Sequence, residues 1–333
     1  MAKGAEAAEA PGLSFPRETF AKLTPKPFLH AHLKQPHPIR ANGRSLSETR
    51  PQTINTGSLT HSNGSAVVRN GDTAVVCGVR AEVLLTSDIP YPPDGDTDED
   101  DLTEELGLLV PNVELSTGCS PAHLPGNPPG TLAQSLSNRI EALIYSAKLV
   151  DASALQILYT EPHTDGDVPD EQSKIVTKAY WTLYIDILCI ALDGNAFDTI
   201  WTAVLASLRD TILPAAEWNP DREMILCSPQ VERATRLHLN TMPMTSTFAA
   251  FSTASPLKTK AGSQYWILAD PDGFEEDACE EMLTIVSTHD ESSDTLMRLE
   301  KKGGSIISLE VVSQCLRGAK GRFAEWRQTL ESG

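Results

Sequence analysis

Apolar and polar positions fall into two series, each made of short β-branched runs followed by a longer run at helical spacing. In the first, Ile54 to Leu59 precedes two Asn-Gly pairs, Asn63-Gly64 and Asn70-Gly71, with Ala66-Val67-Val68 after one and Ala74-Val75-Val76 after the other. Asn and Gly accept the positive φ of a hairpin turn, so this wording predicts a tight antiparallel meander. Leu132, Leu136, Ile140, Leu143, Ile144 and Ala147 recur at helical spacing and predict a helix after the irregular, proline-rich stretch Ser116 to Gly130. The nearly unbroken apolar run Tyr180 to Ala191 predicts a strand covered on both faces. Asp193-Gly194-Asn195 ends it, and Ile200, Trp201, Val204, Leu205 and Leu208 mark a helix that Pro214 stops.

The second series follows a polar connector around Trp218 to Met224. Phe248 to Phe251, Tyr265 to Ala269, Met282 to Val286 and Thr295 to Leu299 predict four short strands. Val311, Val312, Cys315, Leu316, Ala319, Phe323, Trp326 and Leu330 then share one face of a final helix. Strands then helix, twice over, define an α+β fold with a duplicated architecture. Residues 1–20 read as a disordered tail, small, charged and short of aliphatics. Residues 21–48 form an N-terminal extension, with a short helix expected within Phe15 to Leu33. The first half of the core spans 49–215 and the second half, with the C-terminal helix, 216–333.

Composition narrows the function classes. The chain has 333 residues, enough for a proper core in each half. No run reaches the length of a membrane span, and Met1 to Gly12 lacks the basic and apolar regions of a signal peptide, so a soluble intracellular protein is expected. The six cysteines are tens of residues apart, which leaves no Cys-x-x-Cys pair and predicts reduced thiols, several of them buried. A net charge of −18 argues against nucleic acid, yet half of it comes from nine acids without a base between Asp88 and Glu105. That segment, with Pro90, Pro92, Pro93 and Gly95, reads as a solvated loop inserted at 88–106.

Candidate chemistry is sparse. His30, His32 and His37 have no neighbouring carboxylate or Cys and are broken up by prolines, so they read as exposed side chains and no metal site is assigned. No Ser, His and Asp set suggests a triad. Asp270-Pro271-Asp272-Gly273 with Glu275, Glu276, Asp277, Glu280 and Glu281 has the chemistry for a divalent cation or a general acid, but reads better as a turn and a solvated, acidic helix start. Bases gather at Arg40, Arg44 and Arg50, at Arg298, Lys301 and Lys302, and at Arg317, Lys320, Arg322 and Arg327. With few aromatics beside them, they suit phosphate backbones or acidic protein groups better than stacked bases.

Taken in order, Arg40-Ala41-Asn42-Gly43-Arg44 with Glu48 and Arg50, the meander from Asn63 to Val79, the Asp193-Gly194 turn and the Asp270-Pro271 to Glu276 segment resemble ribonuclease PH-like proteins over roughly residues 35–330. Within that family, Cys77-Gly78-Val79-Arg80-Ala81-Glu82, Val110-Pro111-Asn112-Val113-Glu114-Leu115 and Leu192-Asp193-Gly194-Asn195 are similar to the ring subunits of the eukaryotic RNA exosome. The resemblance implies a ribonuclease PH-like fold of the ribosomal protein S5 domain 2-like type. Active relatives cleave RNA from its 3′ end with inorganic phosphate, which they hold with an Asp-Gly-Gly-Thr-Arg type turn and arginines on the preceding helix.

Carried onto this chain, that pattern implies a degenerate phosphate site at Asn195, Ala196 and Phe197, where Ala and Phe replace the hydroxyl and the cation. Placing Asp151 on the family's Asp puts Ile140, Ile144 and Ala147 at the arginine positions, and the catalytic Asp falls near Glu281 or Met282. The resemblance thus implies a subunit that is no enzyme, with no catalytic residues and no cofactor. Its expected partners are other ribonuclease PH-like proteins in a six-membered ring, S1/KH cap proteins, a separate hydrolytic exoribonuclease and RNA in the pore. Expected locations are nucleus, nucleolus and cytoplasm. Arg139 and Lys148 are the candidate RNA contacts. Two rival functions stand beside this one: a working phosphorolytic 3′-5′ exoribonuclease, and a protein-binding module outside the exosome.

Overall fold

The computed structural model describes residues 15–91, 99–124, 130–161, 175–252, 265–289, 294–303 and 308–332. Two N-terminal helices, α1 (Arg17–Leu23) and α2 (Pro25–Leu33), lead into β1 (Gln52–Thr56), β2 (Gly64–Asn70) and β3 (Thr73–Leu85). Then come α3 (Glu99–Glu105), β4 (Leu109–Leu115), α4 (Thr131–Ser146), α5 (Ala152–Leu155), β5 (Gln156–Thr160), β6 (Ile175–Ala191) and α6 (Ala196–Asp210). Four short strands, β7 (Ile212–Leu213), β8 (Ala216–Asn219), β9 (Met224–Cys227) and β10 (Thr235–Arg236), connect to the second half. That half contains β11 (Met244–Ser252), β12 (Tyr265–Ala269), α7 (Gly273–Ala278), β13 (Glu281–His289), β14 (Asp294–Lys302) and α8 (Leu309–Ser332).

The first sheet runs β1-β2-β3-β6-β4, with β5 also on β6, and only the β4–β6 pair is parallel. The second sheet is antiparallel in the order β12-β11-β13-β14. Helix α6 is buried almost all round, as expected of a helix packed on every side, and joins β1, β2 and β3 to β11. Ile200, Trp201, Val204 and Leu208 tie it into a core shared with α4, α8 and both sheets. A second cluster forms where Leu29 and Leu33 of α2 meet Phe251, Trp266 and Leu268. The N-terminal extension is therefore docked on the second half of the fold.

The α+β architecture holds, with several local corrections. Residues 17–20, expected in the disordered tail, belong to α1, while residues 1–14 lie outside the described residues. Part of the supposed acidic loop is helix α3, because Leu102 and Thr103 are buried and anchor one face of it; residues 92–98 are not described. The polar connector folds back as the β8–β9 hairpin. Strand β6 is covered on both faces only as far as Ile185; beyond it, burial alternates and Asp186, Leu188 and Ile190 face outward.

The two Asn-Gly pairs do different jobs. Gly71 has φ +60° in the two-residue β2–β3 turn, as expected. Gly64 instead opens β2, and a Cβ on it would sit 2.4 Å from Thr211 Oγ1 and 2.5 Å from the Ser207 carbonyl oxygen. It is glycine because the end of α6 passes directly over the strand. Asn63 serves as a clamp: its amide donates to the Ile212 carbonyl at 3.2 Å and its Oδ1 accepts from the Ala81 N–H at 2.9 Å.

Candidate functional site

The Asp193-Gly194-Asn195 turn between β6 and α6 is where the two halves meet. Gly194 has φ +71°, and a Cβ there would lie 2.4 Å from the Asp272 carbonyl carbon. Asn195 is left-handed at φ +49° and fully buried, a conformation Asn tolerates better than most side chains. Its N–H donates to Glu276 at 2.8 Å, and its amide donates to Asp270 at 2.6 Å and to Asp198 at 3.0 Å.

Behind the turn lies a buried lattice of arginines and acids. Asp270 accepts from Arg50 at 2.9 and 2.8 Å and from the Asn70 amide at 3.0 Å. Arg50 also donates to the Asp193 carbonyl at 2.6 Å, so one guanidinium spans both halves. Arg40, wholly buried, donates through Nε to Glu275 at 2.8 Å, pairs again with it through Nη2, and reaches the Ala269 carbonyl at 2.7 Å. Asp272 caps α7 in a reciprocal capping box with Glu275. Burial alone would raise the Asp270 carboxyl, but the hydrogen bonds and charge of Arg50, with help from Asn195, hold it well below the usual carboxylate range. For Glu276 burial prevails and pushes its carboxyl up to about 7, against the opposing pull of the Asn195 N–H and the charges of Arg50 and Lys302.

In front of the turn is a cavity of about 320 Å³, lined by Arg139, Asn195, Ala196, Phe197, Glu276 and Lys302 among others. Ala196 and Phe197 are both buried, so the helix start offers a methyl and a ring where an anion would want a hydroxyl and a cation. The Arg139 guanidinium lies over the Phe197 ring, 3.8 Å from its centroid, and its Nε donates to Glu300 at 2.7 Å. Lys301 pairs with Glu281 at 2.8 Å. The cations nearest the cavity are thus largely answered by the protein's own carboxylates.

Several sequence-based assignments change. Ile140, Ile144 and Ala147 point into the core and not into the cavity. The strip of α4 that faces the cavity is Leu132, Ser135, Leu136 and Arg139, because one residue along a helix turns the side chain by about 100°. The helix therefore does bring an arginine to the site, though an engaged one. Lys148 sits past the end of α4, exposed, with φ 45°, and is not brought to the cavity with Arg139. His30 and His32 are half-buried, His30 beside Phe251 and Trp266 and His32 against Phe28, so only His37 is exposed as expected. Cys77, Cys119, Cys189 and Cys315 are buried free thiols, whereas Cys227 is exposed.

The acids at 270–276 take the structural role, as a turn, a cap and partners for arginines. Among the described residues no group of three or more His, Cys, Asp or Glu is placed to hold a metal ion. Local reading missed the Arg50–Asp270 and Arg40–Glu275 pairs. A basic cluster at Arg40, Arg44 and Arg50 and an acidic one at 270–276 were the only signal, since more than 200 residues separate the partners.

This fold, with a two-sided turn at its centre, belongs to a known class: residues 48–214 match the model of the 3′ exoribonuclease family, domain 1, and the chain is a member of the RNase PH family. Among its relatives is exosome complex component rrp43 of Schizosaccharomyces pombe, 32% identical over 311 residues, 93% of this chain and 97% of that protein. Exosome complex component Rrp42 of Methanothermobacter thermautotrophicus is 30% identical over 76% of both chains. In fold, the chain is similar to one from a structure described as the Archaeoglobus fulgidus exosome with RNA bound to the active site, with a TM-score of 0.66 at 22% identity over 93% of this chain and 98% of that one.

Proposed function

We propose that this chain is a non-catalytic structural subunit of an exosome-type core ring, helping to thread RNA for 3′-5′ processing and decay. Its immediate partners are other RNase PH-like chains, with S1/KH cap proteins and a separate hydrolytic exoribonuclease completing the assembly, in nucleus, nucleolus and cytoplasm. Similarity to rrp43 and Rrp42 along most of the chain supports membership of the ring.

The loss of chemistry rests on one observation. At the start of α6, the side chains of Ala196 and Phe197 offer no donor to an anion, and the arginine that does enter the cavity is held by Glu300 and the Phe197 ring. One missing transition-state donor costs about 10²–10³ in rate, and two are missing here. Arg139 is a poor RNA contact while so engaged; Lys148 is exposed past the end of α4, outside the cavity.

Incubating the purified chain with single-stranded RNA and inorganic phosphate tests the absence of chemistry. No nucleoside diphosphate should appear, and sustained release from a partner-free preparation would overturn the proposal. Purification of the tagged chain from cells should bring other RNase PH-like subunits in equal amounts. A chain that comes alone, or with unrelated proteins, is a binding module outside the ring.

A further inference from the structure

The first sheet is packed against α6 on one face and only partly covered on the other. On that open face Val76 of β3 stands opposite Leu188 of β6, and Leu188 and Ile190 are 40% and 49% exposed. Leu59 lies over the same face because residue 78 is glycine: a Cβ there would come within 3.0 Å of Leu59 Cδ1. Leu59, Val76, Gly78 and Leu188 line an open depression of about 630 Å³. A sheet face left to water normally carries polar residues in alternation, so an apolar strip at its centre marks a contact surface.

The charges beside the strip identify what fits. Arg80 is engaged, with Nε 3.5 Å from Glu82 and its guanidinium over the Tyr184 ring. Asp186 and Glu114 flank the strip, Asp186 opposite Gly78 and Glu114 beside Leu188, and no basic side chain among the described residues pairs with either. Unanswered carboxylates repel a phosphate backbone. A second copy of this chain, meeting the face by two-fold symmetry, would bring the same acids near one another. Both considerations leave a different protein with bases at matching positions.

We infer that this open face is the seat of a neighbouring protein chain whose contact surface carries apolar side chains flanked by lysine or arginine that reach Asp186 and Glu114. The inference rests on the ring-subunit proposal and names the surface that one neighbour uses.

The test uses the assembled complex purified through a tag on the full-length chain. With the photo-reactive residue p-benzoylphenylalanine in place of Asn112, at the rim of the depression, illumination should attach one RNase PH-like subunit through a peptide containing Lys or Arg. Asp186→Asn should lower the amount of that subunit retained at high salt about tenfold, and Asp186→Lys should lower it further. Thermal unfolding of the isolated variants should stay unchanged, since Asp186 is exposed. Wild-type retention in both variants, a label attached only to RNA or to a second copy of this chain, or no attachment, overturns the inference. If the wild-type tagged chain brings down no stoichiometric ring partner, the ring proposal itself fails instead.

Discussion

The two sides of the Asp193-Gly194-Asn195 turn share a backbone and differ in every electrostatic respect. Behind it, Arg40, Arg50, Asp270, Glu275 and Asn195 form a buried lattice with nearly all donors and acceptors matched. In front, the cavity holds a stacked arginine, a carboxylate raised toward neutrality and two side chains that cannot bind an anion. The lattice sets the turn geometry and joins the halves, so removing it threatens the fold. Arg139 and Glu300 at the cavity are partly exposed, so replacing them costs stability little.

The comparison breaks most sharply at Asp270. Asp270→Ala leaves the Arg50 guanidinium and the Asn195 amide buried without their acceptor, and removing one partner of a buried pair costs about 3–5 kcal/mol. Urea unfolding should show that loss, and a cost below ~1 kcal/mol would mean that the lattice does not hold the halves together. The sign with pH is defined. The Asp270 carboxyl titrates lower in the folded state than its unfolded value of about 3.9, so its contribution is complete above that pH and is lost as pH falls through the folded value. Gly194→Ala should come next, costing more than about 1 kcal/mol, because φ is +71° and the nearest atoms are backbone. Gly43→Ala is the control: φ is +90° with nothing within 4 Å, so the difference between the variants isolates the close approach to Asp272.

Local patterns in the sequence carried the back of the molecule poorly and the strands well. The meander, the β6–turn–α6 passage and the four strands of the second sheet were legible because period and turn chemistry are local. Gly64 was misjudged because its glycine answers Thr211 and Ser207, almost 150 residues away. Helix α4 was placed correctly but its face was not: Ile140 and Arg139 differ by one position, and only the surrounding sheet decides which meets the cavity. The lattice was invisible for the same reason, as charge runs at 40–50 and 270–276 look solvated until the chain brings them together.

Glu276 sharpens the comparison through pH, with a sign opposite to that of Asp270. Its carboxyl titrates at about 7 in the folded state and near 4.3 unfolded. Between those values the unfolded chain releases a proton that the folded chain keeps, so stability falls as pH rises through that window and is flat on either side. Glu276→Gln removes the slope, and the variant should gain on the wild type between pH 4.5 and pH 8 in paired denaturation curves. An unchanged slope in Glu276→Gln would mean that the cavity side imposes no burial cost on this carboxyl.

Arg139 should give the smallest effect, and the value of the measurement lies in that smallness. Its partner Glu300 and its own side chain are both partly exposed, at 22% and 29%, so the pair contributes at most about 1 kcal/mol after screening. Stacking on Phe197 adds about 0.5–1 kcal/mol at most, because the guanidinium is not sealed from water. Arg139→Met keeps the stem that covers the ring and should therefore destabilise by about 1 kcal/mol or less, with part of that loss removed at high salt. Under the proposed non-catalytic role, the variant should also leave RNA turnover unchanged. A loss approaching that of Asp270→Ala would show that the front of the turn is as much a structural lattice as the back, and the contrast between the two sides would fail.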